Sequence, residues 1–350
     1  MDYLYWVASD DFLLPEGMSF EDFKDTETSY YVKPSHLLHL PLYAAGILCI
    51  RWMYEKYIAK SIALYLGIRD KRKFPTPNHT LEDVYQQTKQ PGGSKTKHLC
   101  SKLNVSEKYI SDWFRRRRNM DRPSKVKKFV ETNWRLFFYA TVFIYAISFL
   151  VSTPWFWNQY ECWIGYPLQP IWPSVYYYYM LEGGFYISLL FSLMRDNKRK
   201  DFVEQIIHHL ATIFLIVFSY VSNFVRIGSL VMAIHDISDI LLEAAKCFNY
   251  AGYMETSSVA FALFAIIFIV TRIILFPYVI LHTTWVKSMQ FADPYPGYYF
   301  FNLMLFILQL LHVFWASTIV KMTVKLCKGD MNKDDRSDVD ESSDEDDKKK

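Results

Sequence analysis

The chain has 350 residues, of which 51% are hydrophobic, 18% aromatic and 21% charged, with a formal net charge of +3. A mean hydropathy of +0.01 alongside so many apolar residues means that the charges are segregated, which excludes an ordinary soluble domain and points to a membrane protein with charged loops. Five cysteines (Cys49, Cys100, Cys162, Cys247, Cys327) lie far apart without a CxxC pair, which argues against a zinc site or a dense disulfide framework; only Cys162 is placed toward an oxidising compartment.

The first residues lack the basic start, apolar core and small-residue cleavage site of a removable signal peptide, so the chain is expected to begin near Met1. Seven apolar runs of about 20 residues are expected to cross a bilayer as helices, at roughly 36–57, 131–152, 174–194, 203–221, 225–247, 257–281 and 299–323. Arg51, Glu55 and Lys56 interrupt the first, and Glu182, Gly183 and Gly184 interrupt the third. Basic clusters at 69–73, 115–128 and 195–200 all fall on one side of this scheme, which the positive-inside rule makes cytosolic. The loops around 154–173 and 285–298 carry Trp, Tyr and Pro with little positive charge and are expected in the lumen. The N-terminus is then lumenal and the C-terminus cytosolic, which leaves the sequons at Asn78 and Asn104 on the unglycosylated side.

Ionisable side chains within a span cost about 2.5–3.5 kcal/mol each and need a reason. Span four holds Gln205, His208, His209 and Thr212; span five holds His235, Asp236, Ser238, Asp239 and Glu243 and ends at Lys246. His208 and Thr212 share a helix face, as do Asp236, Asp239 and Glu243. A rise of 1.5 Å per residue places His208 roughly 12 Å inward from Lys200, and Asp239 and Asp236 roughly 10 and 15 Å inward from Lys246, so the two polar stripes meet at one depth. A histidine oriented by a carboxylate moves a proton or attacks as a nucleophile near neutral pH. Candidate catalytic residues are therefore His208, His209, His235, Asp236 and Asp239, with His208 acting on the substrate and Asp239 as its partner. Thr212 and Ser238, together with Arg195, Lys198, Arg199 and Lys200 at the cytosolic mouth, are candidates for substrate binding. Gln205, Ser238, Thr212, Gln309 and His312 also suit plain interhelical hydrogen bonds. Arg272 in span six either reaches the lumenal surface or pairs with a carboxylate such as Glu182, and Glu243–Lys246 reads as an ion pair one turn apart. A metal site is a rival, but no HExxH or ExxH pattern accompanies the cluster, so neither a metal nor a cofactor is expected.

Residues 195–250, RDNKRKDFVEQIIHHLATIFLIVFSYVSNFVRIGSLVMAIHDISDILLEAAKCFNY, closely resemble the longevity-assurance motif of ceramide synthases. The similarity extends to the PWFW after span two, the LQLLHVFW of span seven and the DDRSDV of the tail, and the last six spans look like a TLC domain. The resemblance implies transfer of an acyl group from acyl-CoA to the amine of a sphingoid base in the endoplasmic reticulum membrane, with the paired histidines and the HDxSD element as active site. It also points to 283–298 as the segment governing acyl length, with Thr283, Thr284, Trp285, Phe291, Tyr295 and Tyr298 as candidates. EQIIHH and FNYAG look most like the very-long-chain branch. Residues 74–122, ending in DWFRRRRN, resemble the homeobox-like insert of animal members; Arg116 stands where a recognition helix carries Asn, so sequence-specific DNA reading is not expected. Its basic residues fit anionic headgroups or CoA phosphates. The acidic tail 334–347 cannot form a core, and its Ser337, Ser342 and Ser343 are candidate phosphorylation sites.

The expected fold is an all-α polytopic membrane protein of about seven transmembrane helices: a lumenal segment 1–35, a first helix 36–66, a cytosolic helical insert 67–128, a six-helix TLC bundle 129–325 and an acidic tail 326–350. Expected partners are acyl-CoA, a sphingoid base and membrane lipids, with a homo- or heterodimer with paralogues also open. A seven-span receptor shares the topology but gives no reason for the His/Asp cluster. A TLC-type lipid-binding or sensing protein without catalysis shares the spans but does not need His208.

Overall fold

The structure is a computed structural model in which residues 9–70, 72–193 and 202–328 are described. Among them the secondary structure is entirely helical. Each of the seven apolar runs lies in one long helix: α1 (Pro34–Tyr65), α5 (Lys125–Leu150), α6 (Pro173–Leu193), α7 (Phe202–Val221), α8 (Val225–Ala251), α9 (Met254–Gln290) and α10 (Pro296–Cys327). Between α1 and α5 lie α2 (His79–Gln87), α3 (Gly93–Leu103) and α4 (Glu107–Asp121).

The helix ends follow local chemistry. Ser124 caps α5 by accepting a hydrogen bond from the Lys127 amide, and α10 opens on Pro296, whose missing amide proton costs nothing in a first turn. Gly252 ends α8 at φ +90°, where its amide meets Asn249 O and the next amide reaches back to Phe248 O.

Helices α1, α7, α9, α10 and the stretch Glu107–Leu150 that contains α5 are long and apolar enough to cross a membrane. The 21-residue α6 and 27-residue α8 are long enough but more polar. Helix α6 carries Tyr176–Tyr179 and Glu182, and α8 carries Arg226, Asp236, Asp239, Glu243 and Lys246. Both are packed among the others: α6 lies against α1 and α7, and α8 against α5 and α9, with α10 closing on α7 and α9. Apolar burial does not drive association in lipid, so close packing must. Gly183 and Gly184 supply it. A Cβ on Gly183 would sit 2.7 Å from Leu40 Cδ2, and one on Gly184 2.8 Å from Tyr43 Cβ and 3.1 Å from the Ala44 amide nitrogen. The two glycines that interrupt the third apolar run are thus the contact that lets α1 lie on α6.

The N-terminal segment folds back on the bundle. Phe12, Leu13 and Leu14 are buried, Phe12 meeting the Phe218 and Phe300 rings at 6.2 and 6.1 Å, and the Ile171 amide donates to Tyr30 O. This closes the end formed by the C-terminus of α7 and the N-terminus of α10.

Helices α2–α4 have a core of their own: Leu81, Tyr85, Leu99, Ile110, Trp113 and Phe114. Asn78 and Ser106 cap α2 and α4, and the Trp113 indole donates to Thr76 O at 2.7 Å. Three of the four consecutive arginines hold this unit together. Arg117 binds Glu82 and Asp121, Arg118 donates to Lys89 O, and Arg115 pairs with Asp112. The Arg117 hydrogen bond holds Glu82 below the usual carboxylate range, while burial and the bond to Asp121 push the Tyr85 hydroxyl up to about 12.

One sequence expectation needs correcting. The segment 283–298 is not a loop throughout, because α9 continues as π-helix through Thr283–Lys287 and a 3-10 turn through Ser288–Gln290. Nothing in Thr-Thr-Trp-Val-Lys breaks a helix, and Thr283 and Thr284 bury against the bundle; the helix ends only before Asp293 and Pro294.

Candidate active site

His208 of α7 and His235 of α8 are buried with ring centroids 6.4 Å apart, and His209 lies 5.6 Å from His208. Tyr186 of α6 (6.4 Å) and Trp315 of α10 (5.3 Å) complete the ring of aromatics around His208. The depth match between the two polar stripes therefore becomes lateral proximity in the folded bundle. His208 Nδ1 is buried without a hydrogen-bond partner.

The carboxylates have different partners from those expected. Asp239 accepts a 2.9 Å hydrogen bond from Arg272 of α9, which also donates to His235 O at 3.0 Å and lies over the Phe268 ring. Arg272 thus neither reaches the surface nor pairs with Glu182; it ties α9 to α8 through Asp239 and the His235 carbonyl. Asp239 is committed to that pair rather than to His208. Asp236 instead accepts from the Tyr178 hydroxyl of α6 at 3.2 Å. Glu182, also on α6, is fully buried beside Asp236, and its carboxyl oxygens meet no N–H or hydroxyl donor among the described residues. The Glu243–Lys246 ion pair is present at 2.7 Å, and Glu243 is held as well by Arg135 of α5 at 3.2 Å.

His312 of α10 is the residue that sequence reasoning undervalued. It is fully buried, with Nε2 2.9 Å from His235 Nε2. His235 Nδ1 lies 2.7 Å from Val231 O, and a carbonyl only accepts, so Nδ1 carries the proton. In a neutral His235, Nε2 is then an acceptor and His312 Nε2–H donates to it. His312 Nδ1 lies 3.3 Å from Gln309 Oε1, so with the proton on Nε2 this contact is a hydrogen bond only with the Gln309 amide turned to present its NH2. Four helices thus hold one chain of polar groups, and a histidine in the LQLLHVFW stretch of the last span was its available signal.

Two expected substrate-binding hydroxyls are spent on backbone. Thr212 donates to His208 O at 2.8 Å and Ser238 to His235 O at 3.0 Å. Thr212 nonetheless lines a narrow cleft among α6, α7, α8 and α10, with a free volume of about 30 Å³. Its walls include Glu182, His235, Ile216, Met232, Phe301 and Leu305. From Leu308 to Phe301 along α10 it extends roughly 10 Å away from the histidines.

The candidate length-governing residues lie around the far end of the bundle. Thr283 and Thr284 are buried, Trp285 and Phe291 exposed. Tyr298 donates to Trp285 O and stacks on its ring, while Tyr295 and Tyr166 share a 2.6 Å hydroxyl contact. Tyr295 leads through Phe224 to Phe301 on the cavity wall, with ring centroids 6.5 and 4.8 Å apart. Arg195, Lys198, Arg199, Lys200, Ser337, Ser342 and Ser343 lie outside the described residues.

Comparison with known proteins bears on this arrangement. A TLC domain family model matches residues 128–321 and a homeodomain model residues 69–122. Human ceramide synthase 5 is 44% identical over 98% of this chain and 88% of its own length. This chain belongs to the ceramide synthase family. Human ceramide synthase 3 is 44% identical over 91% of the chain and 83% of its own length, and human ceramide synthase 4 is 43% identical over 96% and 86%. Family membership spans both the membrane bundle and the three-helix unit, so the whole architecture is that of a ceramide synthase rather than a TLC domain joined to an unrelated insert.

Proposed function

We propose that the protein is an acyl-CoA-dependent N-acyltransferase that forms ceramide or dihydroceramide from a sphingoid base. The observation that carries this reading is the buried His208–His235–His312 cluster, whose His235 lines a narrow, mostly apolar cleft. The apolar lining of the cleft suits an acyl chain that widens it on entry, and the histidines suit the thioester. Seven membrane crossings, a place in the endoplasmic reticulum with the N-terminus lumenal, and entry of CoA past the basic residues 195–200 belong to the same reading.

His208 acts at the reacting carbonyl because its ring faces His235 and its Nδ1 is not already engaged. In one route the amine attacks the thioester while His208 takes its proton, and the CoA sulfur departs with the electron pair of the broken C–S bond and is protonated. In the other, an imidazole nitrogen of His208 attacks first, CoA leaves as the thiol, and the amine then displaces the imidazole from the acyl carbon. We favour the second, since it lets CoA leave toward water before the lipid amine enters from the bilayer. His235, His312, Asp236 and the Arg272–Asp239 pair position the reacting ring, and no cofactor is assigned a part. Purified protein supplied with acyl-CoA and sphinganine should yield dihydroceramide with release of free CoA thiol. A folded preparation that binds both without forming the amide would favour a lipid-binding role instead.

A further inference from the structure

A second cavity opens on the outer surface where α1 meets the first turns of α5, on the side of the homeodomain-like unit. It has a free volume of about 670 Å³ and is open to solvent, unlike the narrow internal cleft. One wall is a stripe on α1: Trp52, Lys56, Lys60 and Leu64 recur every four residues and so face the same way. The stripe runs through the π-helical residues Tyr54–Ala59, a local geometry concentrated at functional sites. Arg69 and Lys127 complete the rim.

Four cations therefore face two acids, and the acids are unequal. Glu55 is already neutralised by Arg51 at 2.7 Å, which leaves Asp70. Lys127 lies 3.6 Å from Glu131, and Lys56 sits over the Trp52 ring at 4.6 Å. The side chains of Lys60 and Arg69 make no hydrogen bond or ion pair among the described residues. The groove thus offers uncommitted positive charge above an apolar wall, with Trp52 58% and Leu64 53% exposed. Tryptophan and lysine together mark the boundary between hydrocarbon and water.

We propose that this groove binds an anionic phospholipid from the leaflet on the side of the homeodomain-like unit. Its phosphate sits among Lys56, Lys60 and Arg69, and its acyl chains run down the Trp52 face of α1. The exposed apolar wall selects lipid over a free phosphate or the phosphates of CoA, which would leave Trp52 and Leu64 uncovered. The groove lies on α1 and α5, whereas the candidate active site is formed by α6, α7, α8 and α10, so this binding does not rest on the catalytic reading.

Native mass spectrometry of the full-length protein in detergent, titrated with phosphatidylserine or phosphatidylcholine, tests it. The expected result is preferential retention of phosphatidylserine, reduced about tenfold or more in K60E/R69E, since each basic residue near an anionic surface contributes on the order of a fivefold effect. K97E/K102E, reversing charges on α3 away from the groove, should retain the preference. Both variants are checked for an unchanged melting temperature; should K60E/R69E melt early, the neutral K60Q and R69Q variants, each expected to lower retention about fivefold, take its place. Equal retention of the two lipids, or equal loss in K97E/K102E, would overturn the proposal. So would loss of CoA binding in K60E/R69E with lipid retention intact, because the groove would then be a site for a free phosphate.

Discussion

Arg272 in the membrane bundle and Arg117 in the homeodomain-like unit each hold a carboxylate at hydrogen-bond distance, but in different surroundings. The side chains of Arg272 and Asp239 are 4% and 19% exposed, whereas those of Arg117 and Glu82 are 19% and 37% exposed. In the unit, water can replace either partner, and such pairs contribute about 0–1 kcal/mol. In the bundle nothing replaces a lost partner, and breaking a buried pair costs about 3–5 kcal/mol. Charge in the first region maintains a small fold; charge in the second is retained despite its cost, as expected of a site.

The largest effect should come from Arg272→Gln. It leaves Asp239 without its cation and removes the clamp on His235 O, so thermal unfolding in detergent should show a loss of about 3–5 kcal/mol, with acyl transfer falling in parallel. The joint replacement Arg272→Leu with Asp239→Leu should recover much of the stability but not the activity. A melting temperature unchanged by Arg272→Gln would erase the contrast between the regions.

Next comes His312→Ala, which removes the donor to His235 Nε2 without touching His208. A misplaced catalytic group can cost about a hundredfold, and that loss should appear in kcat rather than KM, with His312→Gln recovering part of it. A change confined to KM would move His312 from positioning to binding. Gly184→Ala should destabilise by about 1–3 kcal/mol, because its Cβ would meet Tyr43 and backbone on α1; an unchanged melting temperature would show that α1 can shift off α6 freely.

These cases show what was legible in the sequence. Helix positions could be read because a helix that crosses a membrane is a continuous apolar run, and the histidines of α7 and the aspartates of α8 stood out because ionisable groups are costly there. Depth follows from counting residues, so a common level for His208 and the polar stripe of α8 was foreseeable. Rotation does not follow from counting. Whether Asp239 turns toward α7 or α9 depends on how a third helix packs, which is why Arg272 was not recognised as its partner, nor His312 as that of His235. Gly183 and Gly184 read as interruptions until the neighbour that needs them was in place. The continuation of α9 past Leu281 was hidden because its residues change from apolar to polar while remaining helical.

The smallest effect lies in the unit. Glu82→Gln should cost up to about 1 kcal/mol near neutral pH, read by hydrogen exchange over α2 and α4 in the full-length protein. Because Arg117 lowers the Glu82 pKa, the pair's contribution is present above the ordinary glutamate value of 4.5 and is lost as pH falls through the lower folded value. Mutant and wild type should therefore converge in acid and in high salt. A difference that persists in both would mean that the pair is not the surface interaction its exposure indicates.

The central claim, that His208 is the residue on which acyl transfer turns, is tested most directly by measuring dihydroceramide formation from acyl-CoA and sphinganine by purified His208→Ala. The account predicts loss of transfer in a protein that elutes and melts like the wild type, together with loss of any one-acyl mass increment seen after acyl-CoA alone. Turnover at the wild-type rate by His208→Ala would contradict it.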